Sequence, residues 1–120
     1  MEEFYLKPNV IVGYARTPFG RFLGPLSEFP AVDLGGLAIG EALKRTGLDG
    51  ALVDYLLFGM VVQAGAGQIP SRQAAVKAGL PFQVPSETIN KVCASGLRAV
   101  NLADTLIKAG DISLVIGGGM

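Results

Sequence analysis

The sequence predicts an α/β fold, a mostly parallel sheet flanked by helices, and three observations carry that reading. Segments with strand-like and helix-like patterning alternate along the 120 residues. The strand-like runs are apolar throughout instead of alternating with polar residues, as in strands covered on both faces. Glycine and proline, 17 and 7 residues respectively, punctuate the junctions between runs.

Asn9–Ala15 (NVIVGYA) is β-branched and apolar and predicts a buried strand. Arg16–Pro30 carries Pro18, Gly20, Gly24, Pro25 and Pro30 and is loop chemistry. From Ala31 to Thr46 the period becomes helical: Leu34, Leu37, Ala38 and Ala42 share one face, with Glu41, Lys44 and Arg45 on another. Gly47 is placed to end that helix in the left-handed conformation. Gly35, Gly36 and Gly40 each cost helix propensity of about 1 kcal/mol relative to Ala, which is tolerated where a helix lies close against a sheet.

Val53–Val62 predicts a second buried strand, bent near Gly59. A loop, QAGAGQIP, leads into a short helix over Ser71–Ala78 that stops at Gly79 and Pro81. Val84–Val92 is a third, more polar strand. Ala94–Ala109 is a helix whose polar residues Arg98, Asn101, Thr105 and Lys108 form one narrow stripe, predicting burial over most of its circumference. After Gly110 and Asp111, Ile112–Ile116 is a fourth apolar strand running into Gly117–Gly119. A finished doubly wound domain carries further strands or a terminal helix, so the architecture is expected to continue past Met120.

Composition narrows the function. Ten Lys+Arg balance ten Asp+Glu, which gives no sequence-independent grip on a polyanion and argues against nucleic-acid binding. One cysteine cannot build an internal disulfide framework or a multi-cysteine zinc site. With no histidine, the commonest acid/base group near neutral pH must come from elsewhere. No stretch nears the roughly 18 uninterrupted apolar residues that cross a bilayer, and the acidic start MEEFYLKPN lacks a secretory layout. Cytoplasm is the expected compartment and membrane association is not expected. Charged residues make up 17% and hydrophobic residues 50%, an apolar excess that predicts surface buried against another segment or subunit.

The most informative segment is Thr88–Val100, TINKVCASGLRAV, which places Cys93 where a strand gives way to a helix. The unpaired N–H groups and positive end of that helix favour a thiolate and aim donors at an oxyanion formed beside it. Small neighbours Ala94, Ser95 and Gly96 leave room for an acyl group, which such a thiolate can hold as a thioester. The same residue is also compatible with a buried, inert cysteine acting as a small hydrophobe.

The chain resembles the N-terminal part of the thiolases, the acetyl-CoA acetyltransferase and 3-ketoacyl-CoA thiolase family. The likeness covers essentially the whole chain: ARTPFGRFLG (Ala15–Gly24), Val53–Pro81, TINKVCASGLRAV and VIGGGM (Val115–Met120). It implies a thiolase-like layered fold, with residues 1–120 as an incomplete N-terminal portion of the thiolase N-domain and the loop region and C-terminal domain outside it. It also implies that Cys93 is the acyl-thioester nucleophile of Claisen condensation of acetyl-CoA, or of the reverse thiolysis. No cofactor is implied, because the CoA thioester is the substrate. The family's activating His, its second acid/base Cys and its Asn–water oxyanion site have no counterpart in this segment, so the segment alone is expected to be inactive. The expected partners are an acyl-CoA, a C-terminal thiolase half or subunit, and a second copy of the chain. A homodimer or homotetramer would join the polar strand Glu87–Asn90 to its twin across a two-fold axis.

Two other readings belong beside this one: a non-catalytic thiolase-like assembly or binding protein with an inert Cys93, and an unrelated nucleotide-binding module. Gly65–Gln68 and Gly117–Gly119 lack the spacing of a dinucleotide loop and read as tight turns. Arg72 and Gln73 are expected to tie down the loop before them, with Gln63 and Arg72 ordering the site. Arg16, Arg21 and Lys91 are expected to pair with carboxylates.

Overall fold

The computed structural model describes residues 7–120. In chain order the elements are α1 (Ala31–Thr46), a short 3-10 turn (Gly50–Leu52), β1 (Tyr55–Gly59), α2 (Pro70–Lys77), β2 (Ser86–Ile89), α3 (Ser95–Ala109) and β3 (Val115–Gly119). The strands form one parallel sheet in the order β2-β1-β3. Leu56 pairs with Ser86 and Gly59 with Ile89 on one side; Tyr55 pairs with Val115 and Gly59 with Gly119 on the other.

The expected α/β architecture is present, with helices on both faces of the sheet. Consecutive side chains of β1 point to opposite faces. Leu56 and Phe58 join Ile39 of α1 and Ala74 and Ala75 of α2 in one apolar cluster. Leu57 meets Ile89, Ala99 and Ala103 in a second cluster under α3. Leu56 and Leu57 are wholly buried, each contributing about 1.5–3 kcal/mol of transfer free energy. That central strand is apolar on every residue because both of its faces are covered.

Helix α1 ends where the sequence places its stop: Gly47 takes φ 68° and its N–H donates to the Leu43 and Lys44 carbonyls. Its glycines let it lie close to its neighbours. A Cβ on Gly35 would stand 2.8 Å from Met120 Sδ and 3.1 Å from the Phe58 ring. Asp54 latches the start of the β1–β3 ladder by accepting from the Ser113 and Leu114 N–H groups at 2.7 and 2.9 Å.

Several expectations are corrected. Residues 9–15 form no strand. They run extended along α1 and α3, where Asn9 Nδ2 donates to Asp104 Oδ1 (2.8 Å) and Gly13 lies against Thr46. A strand needs a ladder partner, and a cavity lined by residues on both sides separates this segment from the free edge of β3. The strand expected over Ile112–Ile116 is shifted onward, so Gly117–Gly119 are ladder residues and not a turn. The other strands are shorter than expected, because pairing stops at Gly59 and Ile89.

Helix α3 buries only Ser95, Ala99 and Ala103. Its polar stripe is exposed, but so is Leu97, at 66%, because the sheet covers one side of the helix and no described residue covers the other. Arg16, Arg21 and Lys91 make no ion pair among the described residues. The guanidinium of Arg16 instead donates to the Thr17 carbonyl and lies 4.7 Å from the centre of the Phe19 ring. The pairs that do form are Arg45–Glu41, Lys77–Asp33 and Lys108–Asp104. The apolar excess is visible in the exposed Phe19, Phe22 and Leu23 of the loop before α1.

Candidate active site

All three strands run the same way, so their carboxyl ends gather at one edge of the sheet, where open α/β sheets bind ligands. β1 ends there at Gly59, β2 at Ile89 and β3 at Gly119, and the first turn of α3 sits on top of them. Glycine makes that close seating possible. A Cβ on Gly59 would stand 2.6 Å from the Ser95 carbonyl carbon and 2.7 Å from the Gly96 nitrogen. One on Gly119 would stand 3.2 Å from Gly96 Cα.

Cys93 lies in the turn between β2 and α3, two residues before the helix begins, and it is exposed. Among the described residues nothing buries this thiol. The strand does not run up to Val92 as expected. β2 stops at Ile89 and a tight turn fills the gap. Within it, Asn90 Oδ1 accepts from the Val92 N–H at 3.0 Å, and the Ala94 N–H donates to the Lys91 carbonyl at 3.1 Å. Val92 is held at φ 49°, a conformation that a β-branched residue very rarely adopts.

The hydroxyl of Ser95 closes the turn. Its Oγ accepts from the Lys91 N–H at 2.8 Å and donates to the Val92 carbonyl at 2.6 Å. Ser95 itself is buried. No side chain caps α3; the Ser95 N–H donates to the Val92 carbonyl at 3.1 Å, which leaves the Gly96 and Leu97 N–H groups as the donors of the first turn without a hydrogen-bond partner among the described residues.

The loop after β1 borders the same edge. Gln63 Nε2 donates to the Met60 carbonyl at 2.9 Å, and Asn90 Nδ2 reaches back to the Val61 carbonyl at 3.2 Å. Gln73 ties the loop down as expected, donating to the Ala66 and Gln68 carbonyls at 2.7 and 2.9 Å. Arg72 donates to the carbonyls of Val84 and Phe82 and stacks over the Phe82 ring, fixing the approach to β2 instead of the loop. Gly65 and Gly67 take positive φ, as tight turns require.

Sequence reasoning placed Cys93 at the helix start but missed Asn90, Val92 and Ser95 as the parts that shape its turn. Ser95 was visible only as a small residue, and nothing in the type of Val92 signals a left-handed backbone. An Asn three residues before the thiol was the one readable cue, since Asn favours such local turns.

A chain with this parallel sheet and this cysteine turn belongs to the thiolase family: the family's "Thiolase, N-terminal domain" matches residues 9–120. It is 51% identical over 111 residues to a "Probable acetyl-CoA acetyltransferase" of Mycobacterium leprae (strain TN), covering 92% of this chain and 28% of that protein. Over 110 residues it is 54% identical to "Acetyl-CoA acetyltransferase 2" of Arabidopsis thaliana, covering 92% of this chain and 27% of the relative. It is 53% identical over 110 residues to the "Acetyl-CoA acetyltransferase" of Cupriavidus necator, with 92% and 28% covered. The chain thus spans a little over a quarter of the length of these relatives. No helix among the described residues is long and apolar enough to cross a membrane.

Proposed function

We propose that this chain supplies the acyl-accepting thiol of a thiolase-type acyltransferase, with Cys93 as nucleophile and an acyl-CoA as substrate. The observation that supports the reading most is the exposure of Cys93 on a constrained turn directly ahead of an uncapped helix. In the first step the Cys93 thiolate attacks the thioester carbonyl of acetyl-CoA. A carbon–sulfur bond forms to Sγ, and CoA leaves as a thiolate that takes up a proton. The Gly96 and Leu97 N–H groups of the first helical turn, which have no partner among the described residues, are the donors offered to the developing oxyanion. In the second step the α-carbon of another acetyl-CoA, having lost a proton, attacks the acyl carbon. The new carbon–carbon bond gives acetoacetyl-CoA and releases Cys93 as thiolate. Thiolysis of a 3-ketoacyl-CoA runs the same steps backwards.

The groups that move protons in these steps come from outside residues 1–120, since the chain has no histidine and no second cysteine. A C-terminal thiolase half or subunit supplies them, in a homodimer or homotetramer working in the cytoplasm without a cofactor. The 120-residue chain alone therefore carries the nucleophile but shows no measurable turnover, because losing a base paired to a nucleophile costs several orders of magnitude in rate.

Incubation of the complete enzyme with acetyl-CoA, followed by mass spectrometry of the Cys93 peptide, tests the assignment. A hydroxylamine-labile acetyl adduct that disappears in Cys93→Ser supports it. An unmodified Cys93 in an enzyme that still condenses acetyl-CoA overturns it, and measurable cleavage of acetoacetyl-CoA by the 120-residue chain overturns the division of labour.

A further inference from the structure

We propose that Ser95 and Asn90 are positioning residues for Cys93, holding the strained turn that fixes where its thiol stands. The inference rests on the reading of Cys93 as the acyl-accepting group, and it follows from the hydrogen bonds on either side of Val92. A valine at φ 49° persists only when its surroundings over-determine it. Two side chains do so here. Asn90 Oδ1 holds the Val92 N–H, and Ser95 Oγ holds the Val92 carbonyl while accepting from the Lys91 N–H. Both polar groups of Val92 are thereby anchored to side chains, on the two flanks of the residue that immediately precedes Cys93.

The two anchors lie in different surroundings. Ser95 is 4% exposed and packed where the Gly59 backbone meets α3, so water is poorly placed to replace its hydroxyl. Asn90 is exposed, and its Nδ2 ties the same turn to the loop after β1 through the Val61 carbonyl. Removing either anchor lets Val92 relax towards negative φ, and a rotation at residue 92 displaces everything that follows it in the turn. Cys93 is the first residue displaced. Neither Ser95 nor Asn90 needs to touch the substrate for this role.

Cys93 is the sole cysteine of residues 1–120, so the complete enzyme, with any cysteine outside this segment replaced by alanine, can be labelled there with a trifluoromethyl thiol reagent and read by fluorine NMR. The wild-type chain should give one sharp line. Ser95→Ala and Asn90→Ala should give split or exchange-broadened lines and, in the complete enzyme, slow acetylation of Cys93 by acetyl-CoA about a hundredfold, the scale of a misplaced reacting group. Asn90→Ser, which can accept from the Val92 N–H through its hydroxyl, should restore the single line and the rate.

A purely structural role would lower the urea midpoint while leaving line shape and acetylation rate as in the wild type, and that result overturns the proposal. If Ser95→Ala fails to fold, the exposed Asn90→Ala and Asn90→Ser pair decides alone. A complete enzyme whose Cys93 is never acetylated, alongside split lines in the variants, would refute the acyl-carrier reading while leaving the positioning of Cys93 intact.

Discussion

Gly59 and Ser95 meet backbone to backbone: a Cβ on Gly59 would stand 2.6 Å from the Ser95 carbonyl carbon. The end of the central strand is thus the seat on which the cysteine turn and its helix rest. Gly59→Ala forces a carbon into main-chain atoms that have no rotamer to change. It should destabilise the chain by about 3 kcal/mol, the upper range for overpacking, and displace α3 from the sheet. Urea unfolding measures the first effect. The second appears as faster amide exchange in the first turn of α3 at a denaturant level where the sheet is still intact.

Val92→Gly should have the opposite effect on stability. Holding a valine at positive φ costs about 1–3 kcal/mol, whereas the greater freedom of glycine in the unfolded chain offsets about 0.5–1 kcal/mol of the relief. The side chain is largely exposed, so little apolar burial is lost. The variant should be more stable by about 1 kcal/mol, read as a higher urea midpoint at unchanged slope; a lower midpoint would show that the turn is not strained.

Gln73→Ala should loosen the loop after β1 without unfolding the sheet. Both bonds from Gln73 Nε2, to the Ala66 and Gln68 carbonyls, are lost, at a cost of about 1–2 kcal/mol. Amide exchange should speed up over residues 63–69 and stay slow in Leu56 and Leu57.

Acid should weaken the fold through three carboxylates. The Leu114 and Ser113 N–H groups hold Asp54 below its ordinary carboxylate range. Lys108 and then Asn9 do the same for Asp104, against a smaller opposing effect of desolvation. Arg45 does so for Glu41. A folded-state value below the unfolded one means that the unfolded chain binds protons first, so stability rises with pH across that window. The contribution of Asp54 is complete above its unfolded value of 3.8 and disappears as pH falls through the lower folded value. Asp54→Asn should flatten the acid limb of a plot of urea midpoint against pH; an unchanged limb would remove Asp54 as a contributor.

Helix α1 was legible to the residue, because Pro30 and Gly47 mark its limits through local backbone chemistry. β1 and β3 were legible as apolar runs and β2 as a more polar one, but none in its bounds. Pairing is non-local, and the sequence does not show that the ladder stops at Gly59 or that Gly117–Gly119 belong to it. Residues 9–15 are largely β-branched and apolar and have no ladder partner among the described residues. The place of Cys93 just before a helix was legible, whereas the shape of its turn depends on Val92 adopting a backbone its side chain disfavours. Local preference fails at that point because three neighbouring hydrogen bonds outweigh it.

The order of the strands in the sheet differs from their order in the chain, and this bears on synthesis. Tyr55 must wait for Val115 and Leu56 for Ser86 before their ladders can close. The central strand is therefore synthesised before either of its flanking strands. Until translation reaches Gly119, Leu57 has no completed sheet around it, and its ladder groups stay open to wrong pairing.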